Sequence, residues 1–159
     1  MLFKKKKKTQ ESVILSPLNG EVIDLESVPD PVFSQKMMGE GIGFIPTNGE
    51  IYAPISGTVT QVFPTKHAVG LMTDDGVELL IHLGLETVEL EGEGFDIKVE
   101  SGSKIKVNDQ IGSFNLALIE EKGKEIISVL VFPNLQEKEL NLFKTGEVKA
   151  GTEIAELSK

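Results

Sequence analysis

The chain has 159 residues, a formal net charge of −9 and 40% hydrophobic residues, which fits one compact domain. It contains no cysteine, and this excludes disulfides, thiol catalysis and thiolate metal sites. All 16 basic residues are lysines. Because proteins that recognise base edges favour arginine, the composition argues against nucleic-acid binding.

The chain begins with a basic segment, and we predict a flexible N-terminal arm over residues 1–12. Its five consecutive lysines are Lys4, Lys5, Lys6, Lys7 and Lys8. Such an arm either contacts an anionic membrane surface or serves as a solubilising tail, and the sequence leaves both open. No apolar stretch is long enough to span a bilayer. We therefore expect a cytoplasmic protein, peripheral at the inner face of the membrane if the arm binds lipid, with residues 13–159 as a single domain.

Short β-rich runs separated by glycines make up most of that domain. In chain order they are Gly57–Phe63, Val69–Met72, Val77–Leu83, Ile105–Val107, Ile111–Phe114 and Ile126–Phe132. Many short strands at this spacing predict an all-β fold, an antiparallel β-sandwich or barrel. Helical periodicity is weak, and only Leu116–Lys122 and Leu135–Phe143 are predicted as short helices.

Two phrases of the sequence occur twice. Residues 16–22 (SPLNGEV) resemble residues 53–59 (APISGTV), and residues 102–111 (GSKIKVNDQI) resemble residues 146–154 (GEVKAGTEI). Each phrase combines a turn glycine with a short alternating strand. The repetition predicts an internally duplicated β motif.

The chain has two histidines, and histidine is the side chain that is available as a neutral nucleophile at cellular pH. A histidine in an apolar strand is usually a hydrogen-bonded core residue. In residues 77–83, however, side chains alternate between two faces. One face carries Val77, Leu79, Ile81 and Leu83, and the other carries Glu78, Leu80 and His82. We therefore predict that His82 points away from the core, beside an exposed Leu80.

The other histidine, His67, lies two residues after a threonine. If residues 63–67 are extended, Thr65 and His67 share one face, and Pro64 suits the end of a strand. A hydroxyl beside an imidazole is an arrangement that fixes the tautomer of the ring. The residues alone do not place His67 near His82.

Residues 76–88 (GVELLIHLGLETV) resemble the signature of the glucose-type IIA family of the bacterial sugar phosphotransferase system. That signature is a glycine, two further residues, three apolar residues and then H-apolar-G-apolar-x-T-apolar. Other phrases similar to the family's are residues 28–46 (VPDPVFSQKMMGEGIGFIP), 52–59 (YAPISGTV), 62–70 (VFPTKHAVG) and 89–95 (ELEGEGF). The likeness runs from about residue 13 to the C-terminus.

This resemblance implies a phosphoryl carrier, a phosphotransferase with a phosphohistidine intermediate that requires no cofactor. His82 would accept the phosphoryl group on Nε2 from the phosphorylated histidine-containing phosphocarrier protein, HPr. It would then pass the group to a cysteine on the IIB domain of a sugar transporter. His67 would lie beside His82 and hydrogen-bond the phosphoryl oxygens, and Thr65 would orient His67. The sugar cannot be inferred here, because the membrane component selects it.

The resemblance also implies an apolar docking surface around the histidines. The matching positions are Val32, Phe33, Met37, Met38, Phe63 and Leu80. Flexible methionines suit a surface that binds two unlike partners, and an apolar cover excludes the water that would hydrolyse a phosphohistidine. Phe33, Met37 and Met38 lie between glycines and prolines and are predicted to be loop residues. Asp30 and Glu86, at the rim, would face the basic surface of HPr.

Two other functions deserve weighing. His67 and His82 are candidate zinc ligands, although their spacing matches no zinc motif and argues against zinc catalysis. A regulatory module that binds permeases or metabolic enzymes according to its phosphorylation state is the alternative function. The presence of Thr65 together with both histidines favours phosphoryl transfer. We expect a monomer, since the sequence shows no oligomer seam.

Overall fold

The computed structural model describes residues 12–159, so the predicted basic arm, with Lys4, Lys5, Lys6, Lys7 and Lys8, lies outside the described residues except for Ser12. The strands are β1 (Val13–Leu15), β2 (Gly20–Asp24), β3 (Glu40–Pro46), β4 (Glu50–Tyr52), β5 (Gly57–Val62), β6 (Ala68–Met72), β7 (Glu78–His82), β8 (Phe95–Ile97), β9 (Lys104–Ile105), β10 (Gln110–Phe114), β11 (Ser128–Asn134), β12 (Glu139–Leu142), β13 (Gly146–Val148) and β14 (Glu153–Ser158). The helices are α1 (Pro31–Ser34), α2 (Leu116–Glu121) and two 3₁₀ helices, Leu25–Ser27 and Thr87–Leu90. No helix within residues 12–159 is long and apolar enough to cross a membrane.

The strands form one large sheet and two small ones. The large sheet has eight strands in the order β13-β2-β3-β11-β7-β6-β5-β9, and the small sheets have the orders β1-β14-β12 and β4-β10-β8. All of these strand pairs are antiparallel. The predicted all-β antiparallel sandwich with one or two short helices is confirmed.

One hydrophobic core, which we call the main core, joins the large sheet to both small sheets. Its buried members include Ile14 of β1, Ile51 of β4 and Ile81 of β7. The alternation predicted for residues 77–83 is confirmed, because all four apolar side chains of the first face lie in the main core. These are Val77, Leu79, Ile81 and Leu83.

The repeated phrases form matching structures. Ser16 N–H donates to the Thr152 carbonyl at 2.8 Å, and at the equivalent place in the other half Ala53 N–H donates to the Asp109 carbonyl at 2.8 Å. The first contact joins residues 16–22 to residues 146–154, and the second joins residues 53–59 to residues 102–111. We call each joined pair of phrases one half of the duplication. The geometry agrees with the predicted duplication.

The turn side chains of the two halves also play the same part. Asn19 Oδ1 accepts from Ala150 N–H at 2.9 Å, and Ser56 Oγ accepts from Val107 N–H at 2.9 Å. In each case a polar side chain just before the turn glycine satisfies a backbone donor of the second phrase, which would otherwise be unpaired. Asn19 and Ser56 therefore play the same part at this position of the motif.

Of the two predicted helices, the first is confirmed. The α2 helix occupies residues 116–121, and the Asn115 side chain caps it by accepting from Leu118 N–H at 3.1 Å. Asn is among the residues preferred at this position, because its side chain satisfies a free backbone donor at the helix start.

The second predicted helix, Leu135–Phe143, is wrong. Gln136 and Glu137 both have positive φ values, 53° and 67°, and two consecutive left-handed residues are incompatible with a right-handed helix. The chain instead turns there and continues as β12. Leu140 and Leu142 alternate with exposed residues and pack against the main core, which is the period of a strand.

The other face of the large sheet carries a smaller hydrophobic cluster, which we call the outer cluster. Its buried members are Leu25, Val28, Phe33, Ala68, Leu80, Leu85, Val129 and Val131. Residues 25–38, which connect β2 to β3 and contain α1, lie over this face; we call them the covering segment. Because of this cover, the predicted exposure of Leu80 is wrong: the side chain is only 8% exposed.

Candidate functional site

The two histidines lie side by side at one end of two neighbouring strands. His82 ends β7 and is paired with Ala68 in the antiparallel β6–β7 register, and His67 immediately precedes Ala68. The centroids of the two imidazole rings are 5.0 Å apart and the rings are nearly perpendicular, at 79°. Strand pairing therefore brings together two residues that the sequence alone could not connect.

One ring nitrogen of His82 forms a hydrogen bond with the backbone. Its Nδ1 lies 2.8 Å from the Gly84 carbonyl oxygen. Because a carbonyl can only accept a hydrogen bond, Nδ1 carries the proton and Nε2 keeps its lone pair in the neutral ring. Sequence analysis missed the role of Gly84, although the glycine two residues after the histidine is part of the signature motif.

The environment of His82 also favours the neutral ring. Burial lowers the pKa of His82 to about 4, with a further contribution from the nearby His67, while the Gly84 carbonyl and the Asp30 charge oppose this shift. At cellular pH the imidazole is therefore uncharged, and its Nε2 can act as a nucleophile.

His67 forms the predicted contact with Thr65, but in a different backbone conformation. Thr65 Oγ1 and His67 Nδ1 are 2.7 Å apart. Residues 63–67 are not extended: they form the turn between β5 and β6, closed by Lys66 N–H donating to the Phe63 carbonyl at 2.7 Å. Lys66, within this turn, is in the left-handed region with a φ of 60°. Burial lowers the pKa of His67 as well.

Two phenylalanines flank the histidine pair. The Phe33 ring meets His82 edge-on at 5.0 Å between centroids, and the Phe63 ring meets His67 at 5.4 Å. Edge-to-face contacts of this kind hold ring orientations. Phe33 is only 4% exposed, so the prediction that it is a loop residue outside any core is wrong. The α1 helix turns it inward, onto the outer cluster.

The covering segment contains a helix cap and two ion pairs. Asp30 caps α1 by accepting from Val32 N–H at 3.0 Å, and Lys36 forms ion pairs with Glu26 and Glu40, each at 3.3 Å. Exposed ion pairs contribute little free energy. Both pairs involve the segment that carries Phe33, and one of them links it to β3.

The remaining predicted docking residues differ in exposure. Val32 is 41% and Met37 69% exposed, and Glu86 is also exposed. The partly exposed ones are Asp30, Met38 and Phe63. Val88, which sequence analysis did not single out, is a further exposed apolar side chain in the 3₁₀ helix after β7. Within residues 12–159 no group of three or more histidine, cysteine or acidic side chains is arranged to hold a metal ion.

Comparisons with known proteins identify the family of the chain. Residues 12–138 match the sequence profile of the family described as phosphoenolpyruvate-dependent sugar phosphotransferase system, EIIA 1. The chain is 46% identical over 160 residues to the glucose-specific EIIA component of Staphylococcus aureus, covering 99% of this chain and 96% of the relative. It is 50% identical over 139 residues to the glucose-specific EIIA component of Staphylococcus epidermidis, covering 87% and 84%. The solved structure of glucose permease IIA from Mycoplasma capricolum superposes with a TM-score of 0.86 at 38% identity, covering 90% of this chain and 93% of that one. The chain belongs to the EIIA 1 family of the phosphoenolpyruvate-dependent sugar phosphotransferase system.

Proposed function

We propose that His82 is the residue on which this chain carries a phosphoryl group. Carriage itself follows from membership of the family, whose EIIA components take phosphate from HPr and deliver it to IIB through a phosphohistidine, without a cofactor. The single observation that carries the assignment is the hydrogen bond from His82 Nδ1–H to the Gly84 carbonyl at 2.8 Å. It leaves Nε2 as the free nucleophilic atom.

In the acceptance step, the Nε2 lone pair of His82 attacks the phosphorus of phospho-HPr. The new N–P bond forms as the N–P bond of the donor histidine breaks, and the electron pair of the broken bond stays on the donor nitrogen. The proton of His82 stays on Nδ1 throughout, hydrogen-bonded to the Gly84 carbonyl. Transfer to the IIB cysteine repeats this displacement with sulfur as the nucleophile. In both steps, positioning of the reacting atoms and stabilisation of the phosphoryl charge supply most of the catalysis.

His67 is the proposed partner of the phosphoryl oxygens. With the Thr65 hydroxyl donating to His67 Nδ1 across their 2.7 Å contact, the proton of His67 resides on Nε2. The ring separation of 5.0 Å leaves room for a phosphoryl group bound to His82 to meet that N–H. The neutral ring of His67 can thus donate a hydrogen bond from Nε2–H, and it need not take up a second proton to do so.

The docking surface is proposed to comprise the exposed apolar residues at the site, Val32 and Met37, with Met38 and Phe63 at their edge. Phe33 and Leu80 support this surface from below. Asp30 and Glu86 are proposed to meet the basic face of HPr. The glucose-specific names of the two staphylococcal relatives support glucose as the transported sugar.

Four narrower assignments stay predictions. They are a cytoplasmic location, regulatory binding to permeases or metabolic enzymes, contact of the lysine arm with an anionic membrane, and zinc binding at the histidine pair. Because zinc sites normally have four ligands, His67 and His82 would need further ligands from a partner or from water.

The test is a transfer assay followed by intact mass. The chain, enzyme I, HPr, phosphoenolpyruvate and Mg²⁺ are mixed, and the same reaction is run with His82→Ala and with the matched variant His67→Gln. We expect an acid-labile gain of one phosphoryl group on the wild type and on His67→Gln, and none on His82→Ala. We also expect His67→Gln to fail in passing the group to IIB. Phosphorylation of His82→Ala would overturn the assignment of the acceptor, and onward transfer by His67→Gln at the wild-type rate would overturn the role of His67.

A further inference from the structure

We propose that Ser128 is a positioning residue for phosphoryl transfer, because its hydroxyl fixes the loop that holds His82 in its reactive tautomer. The proposal rests on the proposed function, since it takes His82 as the phosphoryl acceptor. Ser128 begins β11 and is fully buried. It lies 44 residues after Gly84 in the chain, and no element of the sequence pattern links the two.

The Ser128 hydroxyl both accepts and donates a hydrogen bond. Its oxygen accepts from Gly84 N–H at 3.0 Å, and it donates to the Ile126 carbonyl at 3.0 Å. This second contact orients the hydroxyl so that a lone pair faces Gly84. Ser128 therefore ties the loop after β7 to the start of β11.

The loop needs such ties because its central residue is a glycine in the left-handed region. Gly84 has a φ of 76°, and a Cβ added there would lie 2.8 Å from the Glu125 carbonyl oxygen. The peptide unit that follows Gly84 is held on both sides: its oxygen accepts from His82 Nδ1–H at 2.8 Å, and its N–H, that of Leu85, donates to Glu125 at 3.0 Å. Ser128 holds the preceding peptide unit, so both units that set the direction of the Gly84 carbonyl are anchored.

Removing the hydroxyl leaves the buried Gly84 N–H without its partner, which costs free energy that the loop can relieve only by moving. A moved Gly84 carbonyl weakens the hydrogen bond to His82 Nδ1–H. The tautomer with the proton on Nε2 then becomes populated, and this tautomer has no lone pair on the atom that attacks phosphorus. The consequence is a slower transfer, without loss of any group that touches the phosphoryl group.

The test compares Ser128→Ala with Ser16→Ala. Ser16 is another fully buried serine, and its hydroxyl donates to the Leu18 carbonyl at 2.7 Å, within the duplicated turn of the main core. Three quantities are measured in each variant: the ¹⁵N shifts of His82 between pH 6 and 8, the hydrogen-exchange rate of the Gly84 amide, and the rate of acceptance from phospho-HPr. A Ser128→Thr variant keeps the hydroxyl and serves as the rescue.

We expect Ser128→Ala to show the Nε2–H tautomer of His82, faster exchange at Gly84 and acceptance slowed by up to about a hundredfold, the loss that a misplacement of about 1 Å can cause. Ser16→Ala should keep wild-type values for all three, and Ser128→Thr should move each value back toward the wild type. Wild-type tautomer and exchange in Ser128→Ala would overturn the proposal, and so would equal changes in Ser16→Ala. Failure of His82 as the acceptor would be seen separately, because His82→Ala would then still be phosphorylated, while the tautomer and exchange data still judge Ser128.

Discussion

The two faces of the large sheet differ in size and in what they carry. One face contributes to the main core, which has 25 buried hydrophobic side chains. The other face carries the outer cluster, with eight buried hydrophobic side chains under the covering segment. Both histidines lie on the side of the outer cluster, where Phe33 and Phe63 contact their rings. The large core supplies most of the apolar burial that stabilises the fold, and the thinner layer holds the two histidines of the proposed site.

The difference shows why the site is built on the thin layer. A fully buried histidine cannot reach a partner protein, and a fully exposed one lies in water that would hydrolyse its phosphoryl group. The outer cluster provides an intermediate environment, in which burial lowers the pKa of His82 to about 4 while the ring stays partly exposed. Side chains of strand β7 alternate between the two faces. Substitutions at adjacent residues of β7 should therefore differ in their effects on stability and on phosphoryl transfer.

The largest expected effect separates Ile81 from its neighbour Leu80. Ile81→Ala opens a cavity in the main core and should lower the free energy of unfolding by about 4 kcal/mol, with normal acceptance of phosphate by the folded protein. Leu80→Ala lies under a thin cover that can collapse onto it, and should cost about 2 kcal/mol but slow the acceptance step. Chemical denaturation and the transfer assay measure the two quantities. Equal losses of stability with no change of acceptance in Leu80→Ala would break the distinction between the faces.

A smaller effect concerns pH. The pKa of His82 is about 4 in the folded chain and 6.5 in an ordinary environment, so the unfolded state binds more protons between these values. Stability contributed by the neutral His82 is complete above pH 6.5 and is lost as pH falls toward 4, on the order of 3 kcal/mol in total. His67, whose pKa burial also lowers, acts in the same direction.

Carboxylates titrate over part of this range, and His82→Ala is therefore the control. Unfolding free energies of the wild type and of His82→Ala are measured from pH 7 to pH 4. We expect the wild type to lose more stability than the variant on acidification. Parallel curves would mean that His82 is not held neutral by its surroundings.

The smallest expected effect concerns the ion pairs of the covering segment. Lys36→Ala removes both pairs, with Glu26 and Glu40, and should lower Tm slightly, by an amount that disappears at high salt because exposed pairs are screened. Lys66→Ala is the matched control. Lys66 shares the left-handed backbone of Lys36, with φ values of 60° and 61°, and forms no ion pair with any residue between 12 and 159. An equal, salt-independent decrease in both variants would assign the effect to the backbone instead.

Local patterns were sufficient to predict much of the fold and the contact between Thr65 and His67. The period-2 alternation of residues 77–83 predicts which side chains enter the main core, and the main core contains them. The pairing of a hydroxyl with His67 also follows from their spacing, even though the contact forms in a turn. These features depend on residues close together in the chain.

The errors arise where distant segments meet. Leu80 and Phe33 are buried because the covering segment folds over the sheet, and the strand pattern around Leu80 contains no sign of this cover. The hydrogen bond between Gly84 and Ser128 spans 44 residues and is likewise invisible locally. For residues 135–143 a helical pattern was outweighed by the turn at Gln136 and Glu137 and by packing of β12 against the main core.

The most direct test of the central claim is NMR of the phosphorylated chain with ¹⁵N-labelled histidine. One-bond coupling between ³¹P and ¹⁵N identifies the nitrogen that carries the phosphoryl group. The account predicts coupling to Nε2 of His82, with the proton retained on Nδ1 of the same ring. Coupling to Nδ1 of His82, or to either nitrogen of His67, would contradict it.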